Sequence, residues 1–190
     1  NIKPVSTWNL GETEGPYEDL DGFMNRADAV AESLLESGIT AMKIWPFDPA
    51  GIENQGMSIT PEQMRRACEP FEKIRKAVGD KIEIMVEMHS LWNLPTAIKI
   101  ARVLEQYEPS WYEDPIRMNS PQALAEFARS TTVSVCASET LGSHFPYKDM
   151  LDRDAMHIVM ADLCWTGGLT EGRKIAALAD TYHRPFAPHD

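Results

Sequence analysis

The sequence predicts an α/β fold, a parallel (β/α) barrel, on three observations. Short apolar runs alternate with stretches of helical periodicity along the chain, the pattern of parallel strands joined by crossover helices. Polar residues close many different runs: Lys43, Glu87, His89, Glu113, Glu139, Asp162 and His189. A barrel gathers such side chains from several strand ends at one mouth, whereas a doubly wound sheet gathers them at one switch point. Finally, Glu113 lies 26 residues after Glu87 and 26 before Glu139, which allots one βα unit to each carboxylate. Seven strands are expected in 190 residues, and a complete barrel takes about 250. The expectation is therefore a single domain over residues 1–190, a partial barrel holding about seven of the eight strands.

Each element has its own signal. Ile2 to Trp8 reads as a first strand, followed by a Gly- and Glu-rich loop over 11–20. Ala27, Val30, Ala31, Leu34 and Leu35 follow helical spacing from about Met24 to Glu36, and Gly38 is placed to end that helix. Ile39–Trp45 is a strand in which Ala41, Lys43 and Trp45 share a face. Pro46 to Ile59 reads as a long loop and a candidate lid. Thr60-Pro61 caps a helix running to about Val78. Ile82 to Glu87 is a strand, and a strand's period of two sets Glu87 and His89 side by side at its end. Asn93 and Pro95 start a helix with Ala97, Ile100, Ala101 and Leu104 on one face, and Tyr112–Ile116 follows as a strand. Ser120-Pro121 opens a helix, Val133–Ser138 is a strand, Tyr147–Leu151 a short helix and Met156–Asp162 a strand. Gly167-Gly168 turns into the helix Thr170–Tyr182, and Pro185–His189 is the seventh strand.

Composition narrows the function. A net charge of −11 leaves no basic face for phosphates, so no nucleic-acid partner is expected. No run approaches the roughly 18 apolar residues of a membrane span, so no membrane partner is expected either. Cys68, Cys136 and Cys164 form no Cys-x-x-Cys and read as reduced thiols of a cytoplasmic protein. Three carboxylates from neighbouring strands, with no thiolate among them, suit a hard divalent cation: Mg2+, with Mn2+ as a substitute. Such a cation also gives an acidic protein a positive focus for an anionic substrate.

These residues resemble the enolase superfamily, and within it the mandelate racemase/muconate lactonizing enzyme-like proteins, with motifs similar to those of galactonate-type acid-sugar dehydratases. The resemblance covers about Ile39 to His189 and rests on Glu87, on Glu113 in the form Glu113-Asp-Pro115, on Glu139, and on the ending Ala187-Pro-His189. It implies that Glu87, Glu113 and Glu139 are the Mg2+ ligands. It implies that Asp162 and His189 are an Asp–His dyad with His189 as the base, and that Lys43 is the second lysine of a Lys-x-Lys pair. The chemistry is consistent, since a carboxylate bonded to one ring nitrogen fixes the tautomer and leaves the other free to take a proton.

Two departures stand out: Ala41 replaces the first lysine, and Glu87-x-His89 stands where those dehydratases carry Asp-x-His. The implied reaction removes the proton α to a carboxylate, with a metal-stabilised ene-diolate. His89 then protonates the departing β-hydroxyl, giving a 2-keto-3-deoxy acid. Trp45, Trp92 and His144 are candidate substrate contacts, and His157 and His183 read as structural or exposed. The partner expected is a small sugar acid or other carboxylate, the assembly a homo-oligomer, with an α+β capping domain outside this sequence. The runner-up is a racemase, epimerase or cycloisomerase using Lys43 and His189 as opposed bases. A metallohydrolase lacks its His-x-His here, and a non-catalytic barrel homologue is the reading from a different class.

Overall fold

The computed structural model describes residues 19–189. The strand expected over Ile2–Trp8 and most of the 11–20 loop lie outside them. Among the described residues six strands form one parallel sheet in the order β1-β2-β3-β4-β5-β6, an arc of a (β/α) barrel. They are β1 (Ala41–Ile44), β2 (Glu83–Glu87), β3 (Trp111–Glu113), β4 (Ser134–Ala137), β5 (Ile158–Asp162) and β6 (Phe186–His189). Five fall inside an expected run, and β3 begins one residue before the expected Tyr112–Ile116 and ends at Glu113.

The helices are α1 (Asp19–Asn25), α2 (Ala27–Glu36), α3 (Asp48–Glu53), α4 (Pro61–Val78), α5 (Leu94–Leu104), α6 (Pro121–Arg129), α7 (His144–Leu151) and α8 (Leu169–Thr181). Three open as their caps dictate. Thr60 and Gln63 form a reciprocal capping box on α4, Asn93 accepts from the Thr96 N–H, and Ser120 accepts from the Ala123 N–H. The single helix expected from Met24 is divided instead, because Arg26 leaves helical geometry at φ −135°.

The strands turn one face to the helices and the other inward. Tyr112 is fully buried, donates its hydroxyl to the Ala101 carbonyl of α5, and meets Phe127 of α6 edge-on. Its neighbours Trp111 and Glu113 therefore point to the opposite, inner side, where the Trp111 indole N–H donates to Glu113 at 3.1 Å. Ile44, Ile84, Val86, Val135 and Val159 are buried in the same core as Tyr112.

The Pro46–Ile59 lid is corrected. Its middle is α3, Phe47 and Ala50 are buried, and its end is fastened to α5. Asn93 and Thr96 donate to the Met57 carbonyl, and the Asn93 N–H donates to Gly56. The segment is a fixed wall. Gly56 makes the fastening possible: it sits at φ 70°, and a Cβ there would lie 1.8 Å from the Leu91 carbonyl oxygen. Gly56→Ala should therefore cost about 3 kcal/mol, combining overpacking with a left-handed backbone. Urea unfolding of the two proteins checks this, and a change below about 1 kcal/mol contradicts it.

His157 is structural, as expected. It precedes β5, and its Nδ1 accepts the Val135 N–H at 3.0 Å. Burial, then the Arg184 guanidinium, lowers its pKa from the ordinary histidine value. A histidine whose pKa falls on folding stabilises above its unfolded value, about 6.5, and loses that contribution as pH falls. His157→Asn keeps an acceptor that does not titrate. Between pH 7 and pH 5 the parent should lose more stability than this variant, measurable by urea unfolding at both pH values.

Candidate active site

The strand ends place six of the predicted side chains around one mouth. In register, Glu87 pairs with Glu113 and Asp162 with His189. Glu113 pairs with Cys136, so Glu139 lies three residues beyond its register position. It reaches the cluster from the turn after β4.

The contacts are dense. The Lys43 ammonium lies 2.5 Å from Glu113 Oε1 and 3.4 Å from Glu87 Oε2. His189 holds Asp162 Oδ2 on Nδ1 at 2.9 Å and Glu139 Oε2 on Nε2 at 2.8 Å. Asp162 is fixed in turn, since its Oδ1 accepts the N–H groups of Cys164 and Trp165. The hydrogen bond from His189 leads those that hold the Asp162 carboxyl below its ordinary pKa.

The carboxylates are deeply buried, with Glu87 at 1% and Glu113 at 0% exposure. Burial, then the neighbouring Glu87, pushes Glu113 up to about 8, against the pull of Lys43. Asp114, the middle residue of Glu113-Asp-Pro115, is driven well above its usual value, chiefly by burial and then by Glu87. For Lys43, burial acts to lower the pKa, but Glu113 and Glu87 outweigh it and the net shift is upward. One ammonium among so many carboxylates leaves an excess of negative charge.

A divalent cation fits that excess. Glu113, Glu139 and His189 offer ligand atoms within 4.8 Å of one another, and the carboxylates supply the oxygen donors that Mg2+ prefers. Glu87 is not in that set. Its Oε1 accepts the Met88 and His89 N–H groups at 2.9 and 2.7 Å, which turns it toward the backbone and Lys43.

His89 is not beside Glu87 by strand pleat, which corrects that expectation. β2 ends at Glu87, and His89 lies beyond it in left-handed backbone at φ 47°. Its Nδ1 meets Asp48 Oδ2 at 2.8 Å. Burial acts to lower the His89 pKa, but the bond to Asp48 and its charge prevail, raising it to about 9. Trp45 stands near this pair, edge-on to His89 with centroids 6.2 Å apart.

Two expected substrate contacts are drawn elsewhere. Trp92 is 2% exposed in the core, where a Cβ on Gly51 would lie 3.1 Å from its ring. His144 is committed to α8, with its ring Nδ1 2.5 Å from Glu171 and its own N–H on the same oxygen. Sequence reasoning missed Asp48 and Trp165. Trp165 is exposed, with its ring 6.0 Å from that of His189, and only its place three residues after Asp162 hinted at this.

The chain as a whole has relatives among known proteins. The family described as enolase C-terminal domain-like matches residues 25–190. The chain belongs to that family. Among curated relatives, it is 30% identical over 164 residues to D-gluconate dehydratase of Thermoproteus tenax, covering 83% of this chain and 32% of that protein. It is 31% identical over 156 residues to D-galactonate dehydratase of Ralstonia pickettii, covering 80% and 41%. Among solved structures, a mandelate racemase subgroup enolase from Agrobacterium tumefaciens superposes with a TM-score of 0.85 at 50% identity. That match covers 90% of this chain and 49% of the other. A mandelate racemase/muconate lactonizing enzyme-like protein from Rubrobacter xylanophilus gives 0.81 at 32% identity, covering 94% and 46%. The chain thus spans between a third and a half of the curated relatives' length. No helix among the described residues is long and apolar enough to cross a membrane.

Proposed function

We propose that this enolase-family barrel is a Mg2+-dependent acid-sugar dehydratase, a carbon–oxygen lyase forming a 2-keto-3-deoxy acid. The observation that carries the proposal is the His189–Asp162 dyad at the edge of a carboxylate cluster that a second histidine, His89, also adjoins. The relatives named as gluconate and galactonate dehydratases support the same class.

Glu113 and Glu139, with Glu87 as third carboxylate, would hold the cation. When bound, it supplies positive charge that neutralises these carboxylates and stabilises negative charge developing on the substrate's carboxylate. His189, its Nδ1 fixed by Asp162, takes the α-proton on Nε2. His89 returns a proton to the β-hydroxyl oxygen as the C–O bond breaks and water leaves. The resulting enol tautomerises to the keto acid. Lys43 is engaged by Glu113 and Glu87, so it stands as a charge partner in the cluster. An epimerase using it as the opposing base would have to release it from both.

The test is incubation of the protein with Mg2+ and a panel of aldonic and aldaric acids. The expected product is a semicarbazide-reactive 2-keto acid from at least one member. Solvent deuterium at the α-carbon without keto product would mean epimerisation instead, and neither signal with any acid would sink the enzymatic reading. His89→Gln should abolish the keto product, and its survival would remove His89 from the mechanism.

A further inference from the structure

Each histidine of the site is tied through Nδ1 to an aspartate, His189 to Asp162 and His89 to Asp48. The first pair joins neighbouring strand ends. The second joins the turn after β2 to the first residue of α3, on the segment fastened to α5. The Asp48 side chain is 14% exposed; Oδ2 takes His89, and Oδ1 is buried with no hydrogen-bond partner among the described residues. A buried carboxylate left half-satisfied is costly for folding, which argues that Asp48 serves something other than stability.

The backbone points the same way. His89 and Ser90 adopt φ 47° and 56° in succession, and such left-handed residues cost roughly 1–3 kcal/mol each unless their surroundings hold them. Four bonds hold this turn: the Leu91 N–H to the Met88 carbonyl, the His89 N–H to Glu87, the Ser90 N–H to the Asp114 carbonyl, and the His89 ring to Asp48. The first three fix the main chain, and the fourth fixes the ring.

We propose that Asp48 is the positioning residue for the acid that protonates the leaving group: it holds the Nδ1–H of His89 and leaves Nε2 as the nitrogen facing substrate chemistry. This rests on the dehydratase reading. In that step the Nε2–H bond breaks and its proton goes to the β-hydroxyl oxygen. The C–O bonding pair leaves with the water formed, and the electron pair of the deprotonated α-carbon becomes the Cα–Cβ double bond. His189 has gained the α-proton and His89 has lost one, so the step balances. An untethered imidazole can rotate and exchange tautomers, and misplacing a catalytic group by about 1 Å costs on the order of 100-fold.

The experiment pairs ring NMR with turnover. In 15N-histidine-labelled protein, long-range 1H–15N correlations should show a proton on His89 Nδ1, with the signature lost in Asp48→Ala and kept in Asp48→Asn. With an acid from the panel that the wild type dehydrates, Asp48→Ala should lose roughly 100-fold in kcat with little change in KM. Deuterium exchange at the α-carbon, driven by His189, should survive in that variant, and Asp48→Asn should recover most of the dehydration. Exchange and dehydration falling together in Asp48→Ala would reduce Asp48 to a structural residue. Full dehydration by Asp48→Ala, or an unchanged ring signature, would overturn the proposal while leaving the dehydratase reading intact. A wild type that turns over none of the acids removes that reading and Asp48's role with it.

Discussion

Replacing His189 by asparagine is expected to lower dehydration by roughly 10²–10⁴-fold, the range for removing a general acid or base. It should also abolish solvent deuterium exchange at the substrate's α-carbon. The reason is local. Asp162 fixes Nδ1 and is itself held by two backbone N–H groups, so the dyad is oriented before substrate arrives. Asparagine can still donate to Asp162 but has no nitrogen that accepts a proton at neutral pH. Initial rates of keto-acid formation and the deuterium content of recovered substrate check both halves. If exchange persists while dehydration is lost, the α-proton goes to another group, and Lys43, at the same mouth, is the one to test next. Because His189 also contacts Glu139, the Mg2+-induced rise in Tm is the control that separates loss of the base from loss of the metal.

Glu113→Gln is expected to remove most of the stabilisation that Mg2+ confers. A ligand that binds only the folded state at 100 times its Kd stabilises by about 2.7 kcal/mol. For a chain of this size that is a rise in Tm on the order of 5–10 °C. Glu113 is fully buried, with Lys43 and Trp111 on its two oxygens. Glutamine fills the same volume but brings a neutral donor into a place that wants negative charge. Thermal unfolding of parent and variant, each with excess Mg2+ and with chelator, isolates the metal term, because any change in metal-free stability cancels. A variant that gains as much from Mg2+ as its parent would remove Glu113 from the ligand set. No gain in the parent would contradict Mg2+ binding itself.

The division between legible and hidden follows the range of the forces. Thr60, Asn93 and Ser120 announced three helix starts because a cap acts within one turn. The strands were visible because burial imposes its period on consecutive residues. The helix expected from Met24 failed at Arg26, since apolar spacing continued across a backbone break that it does not encode. The lid failed because Pro, Gly and Asn suggested a loop, while Phe47, Ala50 and Gly56 were already specified for packing against distant residues.

In the site, Lys43, Glu87, Glu113, Glu139, Asp162 and His189 could be read from the chain alone, because each stands at or near the end of a strand. In a parallel barrel every strand ends at the same mouth, so one-dimensional position is enough to bring them together. Which of them touch was settled only by register and turns. Glu87 is occupied by its own backbone, Glu139 reaches in from beyond its strand, Trp92 sinks into the core and His144 turns to α8. Asp48 had no mark in the sequence. It meets His89 only because α3 is fastened beside the turn after β2, and a pairing between two loops depends on where the whole scaffold holds them.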